Sequence, residues 1–204
     1  RGREKRLGAL AEGPDVSGLS LSLAPTHVAG VHAYLGLGPL SHANALGLRA
    51  RLPFTAPIRI GVRKSAGLGD RLGIATPGHL RAMHQVRGVL PVLAQQSIRE
   101  MERTQRTPDE VMDAATWGVL QEGWRAGYGA DADHLKNEDD IDTCVAAGFV
   151  MYTLDPRDHV DNDAHTEPAS VLRRKFAALP WDALETTPEE TMRAYAGGAW
   201  GLSA

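Results

Sequence analysis

Segments typical of β-strands alternate with segments of helical spacing four times along the chain. The strand-like segments are 58–62, 89–94, 127–136 and 149–154, and the main helical segments are 76–88, 107–125, 138–147 and 168–179. A further helix is predicted from Thr187 to the pair Gly197-Gly198. Strands that alternate with helices favour a parallel sheet, because parallel strands need a long crossover connection. The chain is therefore predicted to be an α/β protein with about four βα units.

Two architectures are compatible with this alternation. A doubly wound sheet is complete with roughly five strands, whereas a TIM-type (β/α)8 barrel needs about eight strands and typically ~250 residues. Residues 1–52 show an irregular pattern, so residues 53–204 would hold the first half of a barrel catalytic domain. Half a barrel leaves unpaired sheet edges, which is unfavourable in isolation. The barrel alternative therefore predicts that the other half is missing from this chain or is supplied by another copy.

Charge and cysteine content exclude several kinds of partner. The chain has 22 Lys and Arg against 25 Asp and Glu, a net charge of −3, which provides no electrostatic basis for binding nucleic acid or an anionic membrane. No apolar run approaches the ~20 residues of a membrane span, and no signal peptide is recognisable. The single cysteine, Cys144, cannot form an internal disulfide and fits a reducing cytoplasm.

Ionisable side chains cluster where the third and fourth predicted strands end. The third strand ends in Asp131, Asp133, His134 and Lys136, and the fourth is followed by Asp155, Asp158, His159 and Asp161. Adjacent parallel strands lie ~4.8 Å apart, so the two clusters can meet at one divalent metal. Two imidazoles and one or two carboxylates suit zinc, iron, manganese or nickel rather than calcium. The alternative is a polar loop in which an aspartate pairs with Lys136.

The third strand also lacks bulky side chains. Gly129, Ala130 and Ala132 provide little surface for packing, which is costly in a strand unless room is needed there. This favours a site next to the strand.

Two further strand ends carry polar residues suited to a sugar acid. A glycine-rich loop at 67–73 carries Asp70 and Arg71; a guanidinium suits a carboxylate or phosphate, although these two residues could also pair with each other. The loop does not match a dinucleotide-binding fingerprint, because its third glycine is one position late and no acid ends the next strand. The second strand ends in Gln95, Gln96 and Ser97, which could hydrogen-bond sugar hydroxyls or cap the next helix.

The ordered motifs between about residue 58 and residue 162 resemble the bacterial tagaturonate epimerase family. The segments that carry the resemblance are 67–79, 94–101, 115–118, 122–124, 130–136 and 155–161. The resemblance implies a metal-dependent enzyme of barrel type that inverts C4 of a keto-hexuronate and so interconverts tagaturonate and fructuronate. Family members are considerably longer, so it also implies that a second half with further site residues is absent from this chain.

The resemblance implies retro-aldol chemistry. In a 2-ketose the C4 proton is β to the ketone and is not acidic, so inversion is expected to break and re-form the C3–C4 bond. That route needs a Lewis acid on the ketone and a base for the C4 hydroxyl. The pair Asp133-His134 is similar to the Asp-His pair of class II aldolases, which implies a metal ligand at His134 and an acid/base at Asp133.

Roles for the other site residues are also implied. Arg71 is expected to bind the uronate carboxylate, and Lys136 to bind an oxyanion or the same carboxylate. The remaining expected site residues are the metal ligands His159 and Asp155 and the substrate-binding residues Asp70, Gln95, Gln96 and Ser97.

Alternative functions remain open at this level. A class II aldolase-like enzyme, or its non-catalytic companion subunit, shares the metal and the enediolate. A catalytically dead sugar-binding or scaffold fragment is a third alternative. The expected partner is a small-molecule sugar acid in the cytoplasm, and a homo-oligomer is compatible with the sequence.

Overall fold

The structure is a computed structural model that describes residues 4–196. The chain forms two compact units, Arg1–Asp155 and Pro156–Ala204. The strands of the first unit are β1 Leu7–Ala11, β2 Ser22–Val28, β3 Val31–Gly38, β4 Ser65–Gly69, β5 Leu90–Ser97, β6 Gly129–Leu135 and β7 Met151–Leu154. Its α-helices are α1 His42–Arg51, α2 Thr76–Met83, α3 Ile98–Thr104, α4 Pro108–Glu122 and α5 Glu138–Ala147.

The N-terminal segment 1–52, predicted to be irregular, contains regular structure. Strands β1, β3 and β2 form an antiparallel sheet in that order, and helix α1 follows. Leu21 occupies the space above Gly36, where an added Cβ would lie 2.9 Å from Leu21 Cδ1. The prediction was wrong because β1 pairs with β3 and not with its sequence neighbour, and because small residues give these strands a weak local signal.

The predicted parallel sheet is confirmed. Strands β4, β5, β6 and β7 pair in chain order, and every pairing is parallel. Helices α2, α4 and α5 pack against it and close a core of fully buried side chains. This core includes Leu80, Leu93, Met112, Val119 and Tyr128. Apolar burial of this kind, at about 25 cal/mol per Å², supplies most of the stabilisation.

The first strand of this sheet is not the one predicted. Residues 58–62 are irregular, Gly61 has a φ of +62°, and the strand is β4 further along the chain. The N–H of Ile58 donates to the carbonyl of Tyr128 at 2.8 Å. A Cβ added at Gly129 would lie 2.7 Å from Ile60 Cδ1. The alternating isoleucines therefore cover the start of β6, and the glycine of β6 makes room for them and not for a ligand.

The helices predicted to begin near residues 107 and 138 are confirmed, and each has a side-chain cap. Thr107 accepts from the N–H of Glu110 at 3.2 Å, and the Glu110 carboxylate accepts from the N–H of Thr107 at 2.8 Å. Asn137 caps α5 through the N–H of Asp140 at 2.9 Å, and Gly148 ends that helix with a φ of +91°. These caps satisfy backbone groups that a helix end would leave unpaired.

The second unit is helical where it is described. It contains 3₁₀ turns at Arg157–His159 and Asn162–His165 and the helices α6 Ala169–Ala177 and α7 Pro188–Tyr195. Lys175 pairs with Asp161 at 2.7 Å and with Glu167 at 2.6 Å. Hydrogen bonding to Lys175 lowers the pKa of Asp161. Gly197 and Gly198, predicted to end the last helix, lie outside the described residues.

Within residues 4–196, no helix is both long enough and apolar enough to cross a membrane.

Cys144 is expected to resist alkylation in the folded protein. The thiol is buried, and desolvation, with a smaller contribution from Asp140, raises its pKa from 9.0 to about 11. At pH 8 the thiolate fraction then falls about a hundredfold, and burial slows the reaction further. Because the folded pKa lies above the unfolded one, this group loses its stabilising contribution as the pH rises from 9.0 towards about 11. Thiol-reagent kinetics with and without urea measure the effect; equal rates in both would contradict it.

Candidate functional site

A cavity of about 300 Å³ opens at the carboxyl edge of the parallel sheet. The described residues that line it come from the ends of β4, β5 and β6 and from the segments that follow them: Gly69, Arg71, Gln95, Ser97, Arg99, Glu100, Asp133 and His134. Ser97 and Asp133 are register partners in β5 and β6, so they lie side by side. This edge is where α/β folds place their active sites.

A larger cavity of about 610 Å³ lies elsewhere, between β1 and helices α2 and α4. Its described lining includes Leu7, Pro77 and Trp117 and contains no histidine or acidic residue. It therefore offers no acid–base pair, and the smaller cavity is the better candidate site.

Irregularities in two strands shape the smaller cavity. Leu93 pairs with Ala130 and Gln96 pairs with Ala132, so β5 has two residues between these pairings where β6 has one. Ala94, one of the two, has a φ of +56°. Strand β6 likewise has an extra residue relative to β7, and His134 has a φ of +56°. A non-glycine residue in this conformation costs on the order of 1 kcal/mol and is often found at functional sites. The bulges change the direction of the strand ends next to the cavity.

Asp133 and His134 form a hydrogen-bonded pair at the cavity. Asp133 Oδ1 lies 2.8 Å from His134 Nδ1, and the side chains are 18% and 53% exposed. A carboxylate that accepts from Nδ1–H leaves Nε2 as the nitrogen able to accept a proton or bind a metal. The sequence prediction that these two residues lie together at a strand end is confirmed.

Asp70 and Arg71 have separate roles, and the suggested pairing between them is wrong. The Asp70 carboxylate is buried and accepts from the N–H groups of Ile74, Ala75 and Thr76 at 3.0, 2.8 and 3.2 Å. It therefore caps α2 and is not oriented towards a substrate. Arg71 Nε lies 3.1 Å from Glu100 Oε1, and its side chain is 78% exposed beside the cavity.

The three polar residues at the end of β5 also differ. Gln96 is fully buried and donates to the carbonyl of Arg71 and to Thr104 Oγ1, both at 3.0 Å, while Arg106 donates to its Oε1 at 2.6 Å. Gln96 thus belongs to the interior and not to a substrate site. Gln95 lines the cavity. Ser97 also lines it, and in addition caps α3 in a box with Glu100.

The other two predicted metal ligands are Asp155 and His159. Asp155 follows β7, and its N–H donates to the carbonyl of Leu135 at 2.8 Å. His159 belongs to the second unit, so its convergence with His134 stays a prediction. Among residues 4–196 no three His, Cys, Asp or Glu side chains are grouped to hold a metal ion, whereas catalytic zinc sites typically use three protein ligands. The described residues therefore do not form a complete metal site.

Lys136, expected to bind an oxyanion or the substrate carboxylate, is exposed and is not among the described residues that line the cavity. Its backbone N–H donates to Asp140 Oδ2 at 3.4 Å. Its role as an oxyanion or carboxylate ligand stays a prediction.

Sequence reasoning missed three residues at or beside the cavity. Arg99 and Glu100 line it, and Thr153 lies behind Gln95, where it hydrogen-bonds Asp131 of the predicted cluster. Glu100 could have been found, because its position three residues after Ser97 matches a capping box. Thr153 is the one polar residue of β7, which is the available signal for an interaction across the sheet.

Comparisons with known proteins identify the family of this chain. A sequence model of the family described as UxaE, tagaturonate epimerase, matches residues 4–203. A curated tagaturonate/fructuronate epimerase from Thermotoga maritima is 52% identical over 122 residues, which are 60% of this chain and 25% of that protein.

Solved structures give the same assignment. A glycerol-complexed crystal structure of the fructuronate-tagaturonate epimerase UxaE from Cohnella laeviribosi aligns with a TM-score of 0.70 and 41% identity, over 91% of this chain and 35% of that one. The native crystal structure of that enzyme aligns with a TM-score of 0.69 and 42% identity, over 85% of this chain and 34% of that one. The chain thus spans between a quarter and about a third of the length of these relatives. It belongs to the tagaturonate epimerase family.

Proposed function

We propose that this protein interconverts tagaturonate and fructuronate by inverting C4, and that its parallel sheet is part of a (β/α)8 barrel. Family membership and the names of the similar enzymes support the activity. The parallel order β4-β5-β6-β7 with packed helices is compatible with a barrel segment.

The observation that carries the proposal is the cavity at the carboxyl edge. It brings together an acid–base pair, Asp133 and His134, a neutral amide, Gln95, and the guanidinium of Arg71. A keto-hexuronate needs a proton acceptor for a hydroxyl, hydrogen-bonding partners for its other hydroxyls, and a cation for its carboxylate. The cavity contains all three types of group.

The reaction that suits this arrangement is a retro-aldol cleavage followed by aldol closure. Asp133 removes the proton of the C4 hydroxyl as the C3–C4 bond breaks, and the electron pair of that bond moves into an enediolate with its charge on the C2 oxygen. The resulting aldehyde carries C4 to C6 and rotates to present its other face. The C3–C4 bond then re-forms, and Asp133 returns the proton to the C4 oxygen with inverted configuration.

Arg71 is placed to hold the fragment that carries the carboxylate while it rotates. Its guanidinium is exposed beside the cavity and is fixed from one side by Glu100. Holding this end keeps the aldehyde from leaving before the C3–C4 bond re-forms, because the fragment stays at high local concentration.

The reaction itself tests the proposed function. Incubation of the protein with fructuronate, followed by proton NMR, is expected to show tagaturonate accumulating to equilibrium. Release of free three-carbon products without tagaturonate would contradict an epimerase and favour an aldolase. Absence of any turnover under the same conditions would also contradict the proposal.

Arg71→Met is expected to raise the KM for tagaturonate by about 10- to 100-fold, because it removes a charge-assisted bond to the carboxylate. The substitution should change the KM much more than kcat if the guanidinium binds the carboxylate throughout the reaction. Arg103→Met is the matched control, since Arg103 lies on the same helix as Glu100 and does not line the cavity. Equal KM values for the two variants would show that Arg71 does not bind the substrate.

We also propose, from the sequence resemblance, that His134 binds a divalent zinc, iron, manganese or nickel ion with Asp155 as a second ligand. A metal at this point would supply a Lewis acid for the enediolate oxygen. His134→Ala is then expected to lower the bound metal per chain at least tenfold in elemental analysis. His27→Ala is the control, because His27 is exposed on β2. Equal metal content in both variants would contradict the assignment.

A further inference from the structure

Asp131 is a buried carboxylate that the proposed chemistry does not use. It lies on β6 and is 1% exposed. Its Oδ2 accepts from Gln95 Nε2 on β5 at 3.0 Å, and Thr153 Oγ1 on β7 lies 2.9 and 3.0 Å from its two oxygens. The three side chains therefore form a polar row across adjacent strands, directly behind the cavity.

The surroundings of Asp131 make this row unusual. Over the described range 4–196, it has no ion pair with a lysine, arginine or histidine, and its hydrogen bonds come from neutral groups. Burying a carboxylate without a cation costs free energy that ordinary packing would avoid. A buried carboxylate that is bonded only to neutral groups beside a candidate site therefore calls for a role beyond packing.

A carboxylate fixes which end of the Gln95 amide faces it. Asp131 can only accept hydrogen bonds when ionised, so the NH₂ end of Gln95 must point towards it. Over residues 4–196, no protein group donates to Gln95 Oε1. The amide lies over Gly67, where an added Cβ would come 2.9 Å from Oε1, so the missing side chain on β4 leaves space for this orientation. Gln95 lines the cavity, so a ligand there lies next to an amide whose oxygen has no donor among the described protein groups.

We propose that Asp131 is a positioning residue that holds Gln95 so that its carbonyl oxygen accepts a hydrogen bond from a substrate hydroxyl. This rests on the proposed function and adds the orientation of the substrate. An acceptor oxygen cannot hydrogen-bond a substrate carboxylate or ketone, because those groups only accept. It can bind a substrate hydroxyl, which donates. The hydroxyl-bearing part of the sugar acid therefore lies at Gln95, and the carboxylate lies at Arg71.

A double-mutant cycle tests the coupling. Asp131→Ala is expected to raise the KM for tagaturonate about tenfold with a smaller change in kcat, since it frees the Gln95 amide to rotate. Asp131→Asn should recover most of this loss, because its Oδ1 can accept from Gln95 and its amide can donate to Thr153. In a Gln95→Ala background, Asp131→Ala should add little. The same KM increase in both backgrounds would overturn the proposal, because a purely structural role does not depend on Gln95.

A second readout needs no turnover. In protein labelled with ¹⁵N-glutamine, the Gln95 side-chain amide should exchange its protons slowly, and its resonance should move in Asp131→Ala. Rapid exchange in the parent protein, or an unmoved resonance in the variant, would overturn the positioning role. Failure of the proposed function is a separate result, because the unsubstituted protein would then not convert fructuronate.

Discussion

Asp133→Asn is expected to lower kcat for C4 inversion by about a thousandfold, within the range of 10²–10⁴ that a positioned acid/base contributes. The asparagine side chain has nearly the same shape, and its Oδ1 can still accept from His134 Nδ1, which lies 2.8 Å from the native carboxylate. The variant therefore keeps the geometry of the pair and loses the group that takes up the hydroxyl proton. Turnover of tagaturonate under saturating substrate measures the loss.

The matched control is Asp139→Asn. Asp139 is an exposed acid in the first turn of α5, a few residues along the chain from Asp133. Its substitution should leave kcat within about twofold, because it removes only a small helix-dipole interaction. Unchanged thermal unfolding in both variants shows that the fold is intact. If Asp133→Asn retained the turnover of the control, the base for the C4 hydroxyl would have to be another residue.

The position of the Asp133-His134 pair could be predicted because it depends on a local pattern. When charged residues follow a parallel strand of small residues, they lie at the carboxyl edge of the sheet, whatever position the strand has in the sheet. The bulge at His134 was not predictable in the same way, since it depends on the register with β7. The sequence therefore identifies which residues reach the edge but not their final orientation.

Gln96 and Asp70 show how neighbouring polar residues can be misassigned. Alternation along β5 places Gln95 and Ser97 on one side and Gln96 on the other, and the cavity lining agrees with this. Polarity alone does not distinguish the three residues, whereas the alternation along the strand does. Asp70 precedes α2 by a few residues, which is a position where an acid commonly caps a helix.

The first strand of the sheet shows the limit of periodicity. Ile58 and Ile60 alternate as strand residues do, yet they cover β6, whereas β4 consists of Ser, Ala, Leu and glycines. Its pairing with β5 is decided by the four-stranded sheet as a whole, since a parallel strand needs partners distant in sequence. In the antiparallel N-terminal sheet, β1 likewise pairs with β3 and not with its sequence neighbour β2.

Asp113→Ala is expected to lower the free energy of unfolding by about 3 kcal/mol, because it leaves a largely buried arginine without its partner. Asp113 Oδ1 lies 3.1 Å from Arg49 Nη2, and their side chains are 10% and 12% exposed. Asp113 Oδ2 also lies 2.9 Å from His42 Nδ1. These contacts join α1 to α4, so the loss should appear in the cooperative unfolding of the first unit.

Denaturant titration gives the free energy of unfolding of Asp113→Ala, and two comparison variants identify the cause of the loss. Asp109→Ala removes an exposed acid from the first turn of the same helix and should cost at most about 0.5 kcal/mol. The double variant Arg49→Met/Asp113→Leu replaces both charges by apolar groups and should recover much of the stability, since the penalty comes from the unpaired charge. If the double variant were as unstable as Asp113→Ala, the attraction between the two charges would itself hold α1 on α4. If Asp113→Ala cost no more than Asp109→Ala, α1 would be held by its apolar contacts alone.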